Sequence, residues 1–108
     1  MNKYRNNKVE LDGRSFASKL EASVYCLIKP AVVQCQDHVY LTDARILYIP
    51  DFKCTTFDGT FYWVEAKGLE TTDYRIKRRL WQHYGPGDLH IYKGSAARPF
   101  LHEIIKVK

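Results

Sequence analysis

The short stretch Phe57-Asp58-Gly59 lies between two runs rich in β-branched and aromatic residues, Ile46 to Cys54 and Thr60 to Lys67, and it constrains the fold more than any other feature of the chain. It suits a three-residue hairpin loop in which Gly59, having no Cβ, takes the left-handed position and forms a bulge. In that register Thr56 faces Thr60. Counting back along both strands then pairs Asp51 with Glu65, which puts two carboxylates on one face with their Cβ atoms about 5 Å apart. Lys67 joins the same face through the two-residue period. A two-residue Asp58-Gly59 turn would instead set Asp51 opposite Ala66 and turn its side chain to the other face.

Two carboxylates held so close repel each other, and one pKa rises unless a divalent cation neutralises them. Oxygen ligands that leave room for water and phosphate favour Mg²⁺, with Mn²⁺ as a substitute, over zinc. Lys67, a compact point charge, is suited to orienting an attacking water or steadying a phosphate oxygen. Pro50 removes a ladder donor and is expected to bend the strand beside Asp51.

Around this hairpin the remaining elements can be placed. Ser18-Lys19-Leu20-Glu21 has the form of a capping box, and Leu20, Val24, Leu27 and Ile28 follow at helical spacing, which predicts a helix over residues 18–29 ended by Pro30. Val32 to Leu41 reads as a strand, so the middle of the chain holds three strands paired antiparallel. Ile76, Leu80 and Tyr84 recur at intervals of four and predict a second helix over residues 72–84, with a basic exposed face and a stop at Gly85-Pro86-Gly87-Asp88. Leu89 to Tyr92 is a short strand, and Phe100 to Val107 a last strand or helix. The opening dozen residues read as a basic arm or a short edge strand, and residues 1–15 are set apart as that arm. The order α-β-β-β-α-β describes a mixed α/β domain, a central mixed sheet of about four strands flanked by helices, occupying residues 1–108 as one unit.

Charge adds a functional hint. The net charge is +5, but residues 1–29 carry six Lys/Arg against three acids, residues 30–66 two against five, and residues 67–108 nine against four. Basic flanks enclosing an acidic centre suit a polyanion held near a cation. No apolar run reaches membrane-spanning length and the N-terminus is too polar for a secretory signal, so a cytoplasmic protein is expected. Cys26, Cys35 and Cys54 lack the paired spacing of a zinc site and are read as reduced, mostly buried thiols. No phosphate-cradling loop or nucleophilic triad is visible, and no nucleotide cofactor is expected.

Ile49-Pro50-Asp51-Phe52 followed by Trp63-Val64-Glu65-Ala66-Lys67-Gly68 resembles the PD-(D/E)xK nuclease signature. Phe16-Ala17-Ser18-Lys19-Leu20-Glu21-Ala22 is similar to the first helix of phage Holliday-junction resolvases of the endonuclease I type and of related phage and transposon-end nucleases, and Tyr74 to Leu80 resembles their basic second helix. The likeness covers roughly residues 3 to 92. It implies a restriction-endonuclease-like core, a phage origin, and Mg²⁺-dependent phosphodiester hydrolysis in DNA, including branched DNA. Asp51, Glu65 and the backbone carbonyl of Ala66 would bind metal, Lys67 would position the nucleophile, and Glu21 would complete or support the site. The chain lacks the long basic C-terminal extension of endonuclease I, which puts junction specificity in doubt. Cutting two strands symmetrically with one site per chain makes a homodimer the natural expectation.

Lys19, Arg75, Lys77, Arg78 and Arg79 are the candidate DNA-binding residues, with a solvated basic surface as the plainer explanation; Lys3, Arg5, Lys8 and Arg14 are weaker candidates. Glu21 is already explained by its capping role. The histidines His38, His83, His90 and His102 show no metal spacing, and Trp63 and Trp81 are expected in the core. Two other readings stand beside the nuclease: a nuclease subunit of a restriction or transposition assembly, and a DNA-binding module that keeps the fold without the chemistry.

Overall fold

The computed structural model describes residues 8–67 and 70–108; the N-terminal positions Lys3 and Arg5, and Gly68 of the motif, lie outside them. The fold is built on the hairpin of β6 (Phe52–Thr55) and β7 (Phe61–Ala66). Its register pairs Phe52 with Val64, Lys53 with Trp63, Cys54 with Tyr62 and Thr55 with Phe61, and the N–H of Thr56 donates to the Thr60 carbonyl at 2.9 Å. That is the register set by a three-residue loop. Gly59 has a φ of 86°, the conformation in which a side chain would be strained. Asp58 secures the loop by accepting from the Thr60 N–H at 3.0 Å and from the Thr56 hydroxyl, which together lower its carboxyl to about 2.

This hairpin is the middle of a five-stranded mixed sheet. On one side β3 (Val32–Cys35) pairs antiparallel with β6. On the other, the chain leaves β7, runs through helix α2 (Thr72–Tyr84) and returns as β8 (Leu89–Gly94), parallel to β7, as a helical crossover requires. The outer strand β9 (Pro99–Ile105) is antiparallel to β8. Two separate hairpins complete the molecule: β1 (Val9–Leu11) with β2 (Arg14–Phe16), and β4 (Val39–Leu41) with β5 (Ile46–Tyr48). With the two helices, α1 (Lys19–Ile28) and α2, the architecture is a small mixed α/β domain.

Alternation along β6 and β7 distributes the core to both faces. Phe52, Cys54 and Val64 face α1, where they pack with Phe16, Ala22, Val24, Tyr25 and Ile28. Trp63 faces α2 and packs with Tyr74, Trp81, Leu89, Ile91 and Ile105, joined by Val39, Leu41 and Tyr48 from the β4–β5 hairpin. Trp81 is fully buried, lies edge-on to both Trp63 and Tyr48, and donates its indole N–H to the Gly87 carbonyl at 2.7 Å. Truncating a tryptophan in such a place costs about 3–5 kcal/mol.

The structure corrects several expectations. The central sheet has five strands rather than about four. The runs 32–41 and 46–54 are each broken into two strands assigned to different sheets: the first at Gln36, whose φ is 56°, and the second at Ile49-Pro50. Residues 9–15, set apart with the basic arm, belong to the β1–β2 hairpin, which ends at Phe16. The buried face of α2 is carried by Tyr74 and Trp81, seven residues apart, while Ile76 and Tyr84 are exposed; the aromatic pair fills the groove over the sheet and wins over the aliphatic spacing. Leu27 of α1 is likewise exposed, its place taken by Ala22 and Tyr25. All three cysteines are free, but only Cys54 is buried; Cys35 is half-buried and Cys26 exposed. Trp63 and Trp81 lie in the core as expected, and His38, His83 and His102 are exposed while His90 stacks on Tyr62. No helix among the described residues is long and apolar enough to cross a membrane.

Candidate active site

Continued one step beyond β6, the register brings Asp51 beside Glu65, and a side-chain contact fixes it there. The Asp51 carboxylate accepts the backbone N–H of Ala66 at 2.8 Å. The Asp51 carbonyl in turn accepts the Gln36 N–H at 3.0 Å, so the residue after Pro50 is held from two sides.

Glu65 is only 7% exposed, and its Oε1 is buried with no hydrogen-bond partner among the described residues. Lys67 Nζ lies 3.8 Å from Glu65 Oε2 and 4.9 Å from the centre of the Tyr74 ring. Burial pushes the Glu65 carboxyl up to about 7, against the opposing pull of Lys67 and of the Asp51 N–H. Asp51 is raised well above the usual carboxylate range, first by desolvation, then by the Glu65 charge and by Glu21, with the Ala66 N–H pulling the other way.

Glu21 does two things. It closes the capping arrangement of α1: its N–H donates to Ser18 Oγ at 3.1 Å, and its Oε2 accepts the Ala17 N–H at 3.1 Å. Its carboxyl also lies within hydrogen-bonding reach of Asp51, and both residues border a small cavity of about 80 Å³ shared with Arg14 and Cys35. The helix acid is thus brought to Asp51 from the α1 side, whereas Glu65 faces the α2 side.

On that side Glu65 and Lys67 open into a cavity of about 310 Å³ whose other walls include Tyr48, Thr71, Tyr74 and Lys77. Tyr48 was not among the residues singled out from sequence. Its hydroxyl is buried against Glu65, the two side chains lying within hydrogen-bonding reach, and burial together with the Glu65 charge raises it far above the usual phenol range, so it is a neutral donor.

Of the basic candidates, Lys77 is brought to this cavity. Arg75, Arg78 and Arg79 gather elsewhere, around a cavity of about 320 Å³ with Glu70 and Glu103. There Arg78 is paired with Glu103, and Arg75 lies 3.8 Å from Glu70. Lys19 is exposed at the start of α1. A larger cavity, about 640 Å³, is lined by Asp37, Phe61, Trp63 and Asp88 instead. Its acids are already engaged, Asp37 by the Trp63 indole at 2.9 Å and Asp88 by Lys106 at 2.8 Å.

The donors at Asp51 and Glu65 fit a hard divalent cation in three respects. They are carboxylate oxygens, burial raises both, and among the described residues the buried Glu65 Oε1 has no hydrogen-bond partner. Among the described residues no three His, Cys, Asp or Glu side chains form a ready cage, so the set amounts to a carboxylate pair to which a backbone carbonyl and water must be added. Comparison with known proteins found no matching family model, no matching curated protein and no matching solved structure.

Proposed function

We propose that the chain is a metal-dependent endonuclease hydrolysing phosphodiester bonds in DNA, on a core of the restriction-endonuclease type. The observation that carries this reading is the β6–β7 register, which continued one step sets Asp51 opposite Glu65, together with the Ala66 N–H bond to Asp51 and Lys67 3.8 Å from the Glu65 carboxylate. Asp51, Glu65 and the Ala66 carbonyl would hold Mg²⁺, or Mn²⁺ in its place. When bound, the ion supplies the missing countercharge and makes hydroxide available from water near neutral pH.

The protein's own groups do the rest. Lys67, packed against the Tyr74 ring, holds the attacking water or a phosphate oxygen by charge. Glu21, itself held by its capping contacts, flanks Asp51 on the α1 side. Lys77 and the arginines of α2 supply countercharge to the DNA backbone. Hydrolysis adds water across a P–O bond and leaves one strand cut. Cutting both strands symmetrically calls for two chains, hence the homodimer reading.

The direct test is a panel of labelled four-way junction, flap, nicked duplex, linear duplex and single strand, incubated with the purified chain and Mg²⁺. Cleavage of at least one substrate, abolished by a chelator, is expected. Every substrate left whole in both Mg²⁺ and Mn²⁺ would sink the nuclease reading. Light scattering on free and DNA-bound protein tests the dimer, which a monomer in both states rules out.

A further inference from the structure

The cavity of about 640 Å³ is built on the far end of the hairpin that carries the carboxylate pair. Lys53 and Trp63 are paired directly across β6 and β7, and Phe61 precedes Trp63 by two, so the three side chains share the α2 face of the sheet. Trp63 is buried there, whereas Phe61 is 45% exposed. The start of β4, with Tyr40 49% exposed, and the loop Pro86-Gly87-Asp88 form the walls.

Each of the two exposed rings carries a cation. Lys53 Nζ stands 4.3 Å from the centre of the Phe61 ring and 5.6 Å from that of Trp63, and Arg45 Cζ stands 4.3 Å from the centre of the Tyr40 ring. Among the described residues neither Lys53 nor Arg45 forms a salt bridge. The acids of the cavity are occupied with other groups, Asp37 with the Trp63 indole and Asp88 with Lys106. A cation lying over a ring keeps its hydrogen-bond donors, and with about half of each ring still open a second flat group has a surface to lie on.

We propose that this cavity receives an unpaired nucleotide of a DNA strand, its base stacked on the Phe61 or Tyr40 ring and its phosphate held by Lys53 or Arg45. Exposed rings beside unpaired cations are the combination that reads a single strand, because every base offers a face to stack and every nucleotide a charge to neutralise. A base inside a duplex is already stacked and paired, so it is excluded unless it is first unpaired. The volume falls within the range of about 300–1,000 Å³ usual for small-ligand pockets. The position suits cutting beside unpaired bases. Trp63 and Glu65 lie two residues apart on one face of β7, about 7 Å, and Val39 of this cavity pairs with Tyr48 of the cavity at Glu65, so only the β4–β5 hairpin stands between the two. That the strand held here is the one being cut rests on the nuclease reading; the binding of an unpaired nucleotide does not.

The experiment measures, by fluorescence anisotropy at fixed salt and with a chelator present, the affinity of the full chain for two labelled single strands. One is a deoxythymidine decamer, the other a decamer of equal charge whose residues are abasic. The thymidine strand is expected to bind at least about fivefold more tightly, the effect of one stacked base. Phe61→Ala and Tyr40→Ala, at exposed positions, are each expected to weaken the thymidine strand by about that factor and to leave the abasic strand within about twofold. Melting curves show which variants are folded, and either one serves if the other is not. Equal affinity for the two strands overturns the proposal, as does a thymidine affinity unchanged in both folded ring variants. Since no metal is present, a chain that prefers the thymidine strand but cuts nothing in Mg²⁺ or Mn²⁺ refutes only the nuclease. A chain that cuts, yet shows no thymidine preference and keeps its KM in both ring variants, refutes only the nucleotide site.

Discussion

The Asp51 carboxylate is latched to the backbone N–H of Ala66 at 2.8 Å, so the acid of one strand is held by the residue that follows the acid of the next. This contact makes the geometry of the carboxylate pair a property of the backbone rather than of two free rotamers. It also ties the site to the register of the hairpin.

If the nuclease reading holds, Lys67→Ala lowers kcat by about 10²–10⁴-fold, the range expected for loss of a group that positions or transfers protons at the reacting centre. DNA binding measured without metal should keep its affinity to within a few-fold, because one ammonium among many backbone contacts is lost. A parallel collapse of binding would show that Lys67 acts by holding DNA rather than in the chemistry.

The raised carboxyls make metal-free stability depend on pH in a definite direction. Glu65 ionises near its ordinary value in the unfolded chain but is pushed up to about 7 in the folded one, so the native state binds more protons between those values. Its favourable contribution is complete below about pH 4.5 and is lost as pH rises to about 7, a loss on the order of a few kcal/mol. Urea denaturation across this window, with chelator present, should show stability falling, and Glu65→Gln should flatten the slope. A stability rising with pH in the wild type and unaltered in the variant would contradict the assignment.

Gly59→Ala should destabilise the fold by about 1–2 kcal/mol, since the loop holds this position at a φ of 86°. Deleting Phe57, which is fully exposed, should do something different. It leaves Asp58-Gly59 as a two-residue loop that still closes Thr56 on Thr60, so Asp51 stays opposite Glu65 and any Mg²⁺-dependent cleavage should survive. Its loss in protein that still shows strand and helix by circular dichroism would show that the site depends on the three-residue loop itself.

The arginines of α2 should separate into two kinds. Arg79 is exposed, so Arg79→Ala should leave the melting temperature within about 1 °C of wild type and reduce the salt slope of DNA binding by about one. Arg78 is paired with the half-buried Glu103, so Arg78→Ala should lower the melting temperature as well. Equal melting temperatures for the two variants would show that the pair contributes nothing to stability.

The hairpin was legible in the sequence because loop length and a glycine together dictate register, and register dictates which side chains share a face. Helix α2 was legible in extent, from Thr72 to the stop at Gly85, but its buried face was not. Ile76 and Leu80 have the better aliphatic spacing, whereas Tyr74 and Trp81 fill the wide space over Trp63, a property of the opposing surface and not of the helix alone. Tyr48 was hidden by the same kind of non-local effect. In an unbroken strand over 46–54 it would share the face of Phe52 and point toward α1. The break at Ile49-Pro50 frees β5 to turn over and deliver Tyr48 to the α2 side. Glu21 could be read as a cap from its spacing, but its approach to Asp51 depends on how α1 packs.

The parallel pairing of β7 with β8 bears on how the molecule assembles. The β6–β7 hairpin closes over a short loop, while β8 can dock only after the chain has travelled through the whole of α2, a slower closure. Asp51 and Glu65 therefore meet while still bathed in solvent, where their mutual repulsion is slight, and the dry environment that makes it severe arrives with the late-docking helix. Replacing either acid by its amide should accordingly act on the rate of unfolding far more than on the rate of folding.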